Sequence, residues 1–437
     1  MSVSDLAIVA ALVFAWGTLS ARLERFDVTA PIIFVAAGLL LTHGPLAVLG
    51  VEPSHELIKE LAEFTLALVL FSDASRVGWH GLRADAALYL RLLGGALPAT
   101  IALGTLLALA LTNPGDVWLA LLVGAALAPT DAALGAGMMT NPAIPARIRR
   151  VINVESGLND GIATPVVLVA LVGAGDVAAG HGPAGAVADL ALGLLVGTAV
   201  GSIGGGLVSA AHRRGWAAEG FAGSAVLGLA VCAYASAVAV GGNGFIAAFA
   251  GGLAFGTTGG RRGQPLVPFV EETGALVSLL VWLAFGAVAV APALQGLTWQ
   301  IGLYAVLSLT LVRMLPVAVA LVGTGLSRST VALLGWFGPR GLASVVFALL
   351  ALEELGGDRA SRAVTVIAIT VLLSVIAHGA TAEPLAQAYA RRLPAAARQP
   401  SGEPPGAGLP GVPERRLTRG AASSPPADGR SRDGPAG

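Results

Sequence analysis

The sequence predicts an all-α, polytopic membrane protein of about 13 transmembrane helices, arranged as two inverted six-helix repeats with one broken crossing helix in each. Three observations carry this prediction. Of the 437 residues, 55% are hydrophobic and only 12% are charged, against ~25% charged in a soluble domain. So few charges cannot cover the surface of a soluble chain of this length. Glycine is 59 of 437, about twice its usual share, and lies among Ala, Leu and Val as in spanning helices whose backbones approach closely. Finally, the arginines alternate from one loop to the next.

A span needs about 20 largely apolar residues. Between charged or Gly/Pro-rich breaks, such runs fall at roughly 5–21, 29–43, 57–75, 86–112, 116–139, 150–173, 184–210, 217–240, 243–258, 269–292, 298–323, 329–354 and 361–390. Residues Met1–Ser20 lack a basic n-region and a clear cleavage site, so the first run reads as a mature helix and not a signal peptide. One set of alternate loops carries Arg22, Arg25, Arg76, Arg83, Arg147, Arg149, Arg150, Arg213, Arg214, Arg261, Arg262 and Arg328; the other carries only Lys59, Arg359 and Arg362. The positive-inside rule places the first set in the cytoplasm. A multi-pass protein of the cell membrane is expected, N-terminus outside and C-terminus cytoplasmic. From Pro394 the chain is rich in Pro, Ala, Gly, Ser and Arg and cannot bury a core. The expected organisation is a transmembrane domain at 1–392 and a disordered cytoplasmic tail at 393–437. Zero net charge argues against nucleic acid as a partner. The single cysteine, Cys232, excludes a disulfide framework and a multi-cysteine metal site, and no cofactor is expected.

Ionisable residues inside apolar spans are expensive, so each is a functional candidate. Asp131 lies in "GAALAPTDAALGAG", where Pro129 lacks an N–H and interrupts the helix. Unwound backbone at membrane depth is tolerated only where protein or a cavity surrounds it. Thr130 would then present a hydroxyl and a carbonyl beside the carboxylate, hard oxygen donors suited to a small cation or a proton. One span later, "NVESGLNDGIATP" puts Glu155, Ser156, Asn159 and Asp160 on a helix arc of about 140°. Two arginines, Arg313 and Arg340, also fall inside spans. A buried carboxylate needs a partner, since stripping one from a pair costs about 3–5 kcal/mol. Arg313 is the first choice for Glu155 and Arg340 the second. In "GWFGPRGLAS", Gly338, Pro339 and Gly341 should break the twelfth span as Pro129 breaks the fifth. Interrupted spans at matching places in two repeats point to a transporter site between them. Arg340 would then offset the exposed carbonyl end of a half-helix.

"APTD" on one broken span, "ESGLND" on the next and "GPRG" on a second broken span together resemble the monovalent cation/proton antiporters of the CPA1 branch, the NhaP-type antiporters and eukaryotic sodium/hydrogen exchangers. The similarity covers about residues 5–390. The resemblance implies that Asp160 is the ion- and proton-binding aspartate and that Asn159 marks the branch. It implies that Asp131 and Thr130 form the unwound crossing with Pro129, Pro339 and Arg340, and that Ser156 joins Asp160 and Thr130 as ligands of a transient Na⁺. Glu155 and Arg313 match a structural ion pair. Asp73, in "LFSDAS", falls where some members carry a carboxylate near the cation. The resemblance also implies a homodimer built from a dimer domain and a moving core domain.

The resulting expectation is secondary active antiport of Na⁺ against H⁺, electroneutral, by competition for one buried aspartate. K⁺/H⁺ exchange, or exchange of another cation such as Li⁺, on the same architecture is the alternative. An intramembrane aspartyl protease would require a GxGD-type motif, which "LNDG" and "APTDA" do not supply. A zinc protease would require H-E-x-x-H, and a channel would require a more polar pore.

Overall fold

The computed structural model describes residues 3–23, 28–43, 55–77, 85–135, 144–175 and 183–392; the tail expected at 393–437 lies outside them. Among the described residues, eight helices are long and apolar enough to cross a membrane, and Ala30–His43, Val117–Ala126 and Gly244–Thr258 are shorter apolar helices. Over the described residues, all thirteen predicted runs coincide with a helix or an interrupted helix; the end of the fifth run, 136–139, lies outside them. In chain order these are α1 (Val3–Leu23), α2 (Ala30–His43) and α3 (His55–Arg76). Next come α4 (Ala86–Leu111), α5 (Val117–Ala126), α6 (Ala146–Ala174), α7 (Pro183–Arg214), α8 (Glu219–Ala239) and α9 (Gly244–Thr258). The series ends with α10 (Gln264–Gln295), α11 (Trp299–Ala320), α12 (Arg328–Trp336), α13 (Leu342–Leu355) and α14 (Gly357–Arg392).

Local chemistry sets many of these ends. Asp116 accepts from the Leu119 N–H at 3.0 Å to open α5, Asn243 from Ile246 at 3.1 Å to open α9, and Ser327 from Thr330 at 3.2 Å to open α12. Each cap satisfies a donor that a helix start leaves without a carbonyl. Gly356 and Gly357 turn the chain between α13 and α14 with φ of +60° and +55°, a region that glycine enters without steric cost.

Three irregularities were not expected. Single π-helical turns widen α4 at Leu92–Ala96 and α10 at Gly286–Val290. A break at Thr310 (φ −105°, ψ −88°) divides α11, so the eleventh span is interrupted as well as the fifth and twelfth.

The helices pack as two groups. In one, α3 and α9 lie together, flanked by α7, α8 and α10, with α2 against α10. In the other, α4, α5 and α6 pack with α11, α12, α13 and α14. The groups meet where α3 and α10 touch α13, where α10 touches α14, and where α3, α7 and α9 touch α6. Large apolar side chains such as Leu195 and Leu207 on α7 and Val319 on α11 face outward, while Glu155, Arg313 and Arg340 are buried. An apolar exterior around a charged interior suits lipid as the surrounding solvent. The molecule is a multi-pass membrane protein.

Candidate functional site: the crossing of two interrupted spans

The fifth span stops being α-helical after Ala126, and the twelfth after Trp336. The two extended stretches meet: the Asp131 N–H donates to the Pro339 carbonyl at 2.9 Å. Each interruption leaves carbonyls at one helix end and N–H groups at the next without an intrahelical partner. Buried groups of that kind must be paired.

Much of that pairing is reciprocal. Arg340, from the twelfth span and fully buried, donates through Nη1 to the Ala128 and Pro129 carbonyls at 2.9 and 3.3 Å. A cation thus sits at the carbonyl end of α5, where the peptide dipoles favour positive charge. Its Nη2 donates to the Ser308 carbonyl at 3.2 Å, at the unforeseen break in α11. Asp131, from the fifth span, reaches the other way. Its Oδ2 accepts from the Leu342 N–H at a long 3.5 Å, at the start of α13. A Cβ at Gly341 would collide with the Asp131 side chain, so the glycine admits the carboxylate.

Helix α6 completes the centre. Ser156 Oγ donates to the Thr130 carbonyl at 2.8 Å and accepts from the Ala132 N–H at 2.8 Å. Asn159 Nδ2 donates to Thr130 Oγ1 at 2.7 Å. Its Oδ1 is buried with no donor among the described residues, which leaves one acceptor for a cation. Asp160 is buried on the same helix, and its carbonyl accepts from Thr164 Oγ1 at 2.6 Å. Asp73 on α3 stands beside this stretch: a Cβ built at Gly157 would lie 3.5 Å from the Asp73 Cβ. Asp131 of the fifth span and Asp73 of the third therefore lie beside the stretch of α6 that carries Asp160, where hydroxyl, carboxamide and carbonyl oxygens also gather.

Glu155, on the same helix, has a partner of its own. Arg313 Nη2 lies 2.7 Å from Glu155 Oε1, and both side chains are at most 3% exposed. Of the two candidate arginines, the structure places Arg313 at Glu155 and commits Arg340 to backbone carbonyls. Gly338 makes room for Arg313: a Cβ there would stand 2.6 Å from Arg313 Nε.

Sequence reading missed Ser344, whose Oγ donates to the Ala126 carbonyl at 2.6 Å, and the Ser308 carbonyl. It also missed Ser374 and His378 on α14, which bond to Arg340 and Trp336. Polar residues within an otherwise apolar span were the available signal for Ser374 and His378.

Known proteins resemble this chain in sequence and in fold. A stretch of 216 residues, 48% of this chain, is 29% identical to an uncharacterized Na⁺/H⁺ exchanger of Mycobacterium bovis and to counterparts in Mycobacterium tuberculosis. The match spans 38% of the length of those relatives. The structure of the sodium proton antiporter MjNhaP1 from Methanocaldococcus jannaschii at pH 8 superposes with a TM-score of 0.72 at 19% identity, over 88% of this chain and 98% of that one. An electron-microscopy structure of the same antiporter gives 0.72 at 20% identity, over 90% and 100%. These likenesses establish the fold. The transmembrane sodium/hydrogen exchanger family model matches residues 8–388, nearly the whole helical part, and the chain belongs to that family.

Proposed function

We propose that the chain is a secondary active antiporter that exchanges Na⁺ for H⁺ across the cell membrane, one for one, at Asp160. The observation that carries this reading is the gathering of Asp160, Asp131 and Asp73 with Ser156, Asn159 and Thr130 about a crossing of interrupted spans. The names of the relatives point the same way. A bare carboxylate is costly in a low-dielectric interior. A proton or a desolvated cation each neutralises it, and the two compete for the same lone pairs. A neutralised site can move across the barrier, whereas an empty charged one cannot move cheaply. Competition then couples the two fluxes without covalent chemistry.

The charge count supports electroneutrality. Glu155 is neutralised by Arg313, position 159 is an amide, and one-for-one exchange requires Asp131, whose carboxylate accepts from the Leu342 N–H at the start of α13, to keep one charge through the cycle. Asp160 alone then alternates between H⁺ and Na⁺. The helix group containing α4–α6 and α11–α14 would move against the group around α3 and α9, which would carry the homodimer contact. The arginine alternation supports an external N-terminus and a cytoplasmic C-terminus.

Proteoliposomes carrying a fixed sodium gradient test the reading. Proton flux should appear on addition of Na⁺ and keep its initial rate when the membrane potential is clamped at different values. A rate that climbs with potential overturns the one-carboxylate count. Flux driven by K⁺ but not by Na⁺ overturns the cation assignment.

A further inference from the structure

The two interrupted spans end their first halves differently. The carbonyl end of α5 is held by the guanidinium of Arg340. The carbonyl end of α12 is held by an imidazole. His378 Nε2 lies 3.0 Å from the Trp336 carbonyl, and its ring stacks on the Trp336 indole with centroids 5.0 Å apart and planes at 29°. The Trp336 indole is itself tied to α14, through Nε1 donating to Thr381 Oγ1 at 3.0 Å. On the other side of the ring, Nδ1 lies 3.1 Å from Ser374 Oγ and 2.9 Å from the Ser374 carbonyl. The same Ser374 Oγ accepts from the Arg340 backbone N–H at 3.0 Å. His378, Ser374 and the Arg340 amide are all buried.

Both ring nitrogens face a carbonyl, which only accepts, so a single ring proton serves one of them; on Nε2 it serves Trp336, and Nδ1 then pairs with the Ser374 hydroxyl beside the Ser374 carbonyl. Nε2–H donates to the Trp336 carbonyl, which accepts a second bond from the Gly338 N–H at 2.7 Å. Nδ1 accepts the Ser374 hydroxyl proton, and Ser374 Oγ accepts the Arg340 N–H. The chain runs from Arg340 N–H through Ser374 O–H and the imidazole to the Trp336 carbonyl. It spans the gap in the twelfth span from Trp336 to Arg340 with side chains that α14 supplies four residues apart, on one helix face.

We propose that His378 is a positioning residue for ion exchange, its imidazole holding both lips of the twelfth-span break, one directly and the other through Ser374. The consequence for the site follows from what Arg340 does next. Its backbone is pinned by Ser374, and its side chain holds the Ala128 and Pro129 carbonyls that lead into Thr130 and Asp131. If Arg340 is released, the oxygens at Thr130 shift. Cation affinity should then suffer before the fold does.

This inference rests on the exchange reading, and the test separates the two. Proton flux into proteoliposomes is measured against Na⁺ concentration for the native protein, His378→Gln, His378→Leu, Ser374→Ala and the His378→Leu/Ser374→Ala double variant. Glutamine keeps a donor for the Trp336 carbonyl, leucine keeps neither bond, and alanine at 374 cuts the relay with little change in volume. The apparent KM for Na⁺ should rise about tenfold in His378→Leu, as expected for losing buried hydrogen bonds, and by less in His378→Gln and in Ser374→Ala. The maximal rate per folded molecule should change less than KM. The double variant should be no worse than His378→Leu, because both changes cut one chain. An unchanged KM in Ser374→Ala and His378→Gln, or strictly additive effects, overturns the proposal; those two variants decide it if His378→Leu does not fold. A native protein that shows no cation-driven flux defeats the exchange reading, and this inference with it. Native flux with unchanged KM in the variants defeats this inference alone.

Discussion

The glycine-packed group around α9 and the polar crossing around α5 and α13 answer the same physical demand in opposite ways. Lipid tails are as apolar as leucine, so helices in a bilayer associate through close packing or through hydrogen bonds. On α7, Gly193, Gly197, Gly201 and Gly205 recur every four residues. A Cβ at each would run into Asn243, Ala247, Gly251 or Thr258 of α9 or its cap. The other face of α9 repeats the device with Gly252 and Gly256 against the Phe71 and Ser75 carbonyls of α3. These interfaces gain dispersion from backbones in contact. The crossing instead opens the backbone and satisfies it with Arg340, Asp131, Ser156 and Ser344 from distant segments. On the proposed exchange reading, the difference separates residues that decide whether the protein folds from residues that decide what it does.

Substitutions can break that division. The largest effect is expected from Gly201→Leu, which forces a branched side chain into the Gly251 backbone. Overpacking of a close interface costs about 1–3 kcal/mol and more where backbone must move, so little monodisperse protein should elute on size exclusion in detergent. Recovery of native amounts would mean that the α7–α9 contact is looser than the glycine spacing implies. Next, Asp160→Asn should remove cation-driven proton flux completely while leaving the melting temperature within a few degrees of native. Residual exchange above a trace would move the carrier role to Asp131 or Asp73.

Two ion pairs sharpen the comparison further. Glu155–Arg313 is buried, so Glu155→Ala or Arg313→Ala should each cost about 3–5 kcal/mol by leaving an orphan charge. The double change Glu155→Leu/Arg313→Met should recover part of that loss, read as melting temperature in detergent. Strict additivity would show that the two side chains do not act as a unit. Lys59–Glu354 joins α3 to α13 with both side chains more than a third exposed. Lys59→Ala should cost only about 0.2–1 kcal/mol, as exposed pairs do, and the loss should vanish at high salt. A cost rivalling that of Glu155→Ala would mean that this pair is shielded by the membrane surface.

Much of the site could be read before the fold was known. Pro129 and the Gly338–Pro339 pair mark the interruptions because proline removes an N–H that the helix ladder needs. The density of polarity at Glu155–Asp160 has no place in an ordinary lipid-facing helix. The break at Thr310 left no comparable mark: the proline of that run, Pro316, lies six residues further on inside the continuing helix, and hydropathy does not register a local change in φ and ψ. The π-helical turns at Leu92–Ala96 and Gly286–Val290 escaped for the same reason. The partner of Asp131 could not be read locally, since its carboxylate reaches the N–H of Leu342, 211 residues away.

The sequence by itself determined where the chain crosses the bilayer, because the cost of placing about 20 residues in hydrocarbon depends on their composition and not on their neighbours. It also determined which spans cannot remain continuous and which charges must find partners. Only the tertiary structure decided the partners. That Arg313 pairs with Glu155 while Arg340 serves carbonyls of the fifth span follows from how two distant interruptions come together. A guanidinium suits a carboxylate and a helix carbonyl end alike. The choice between them is made by distance, and distance exists only once the helices have packed.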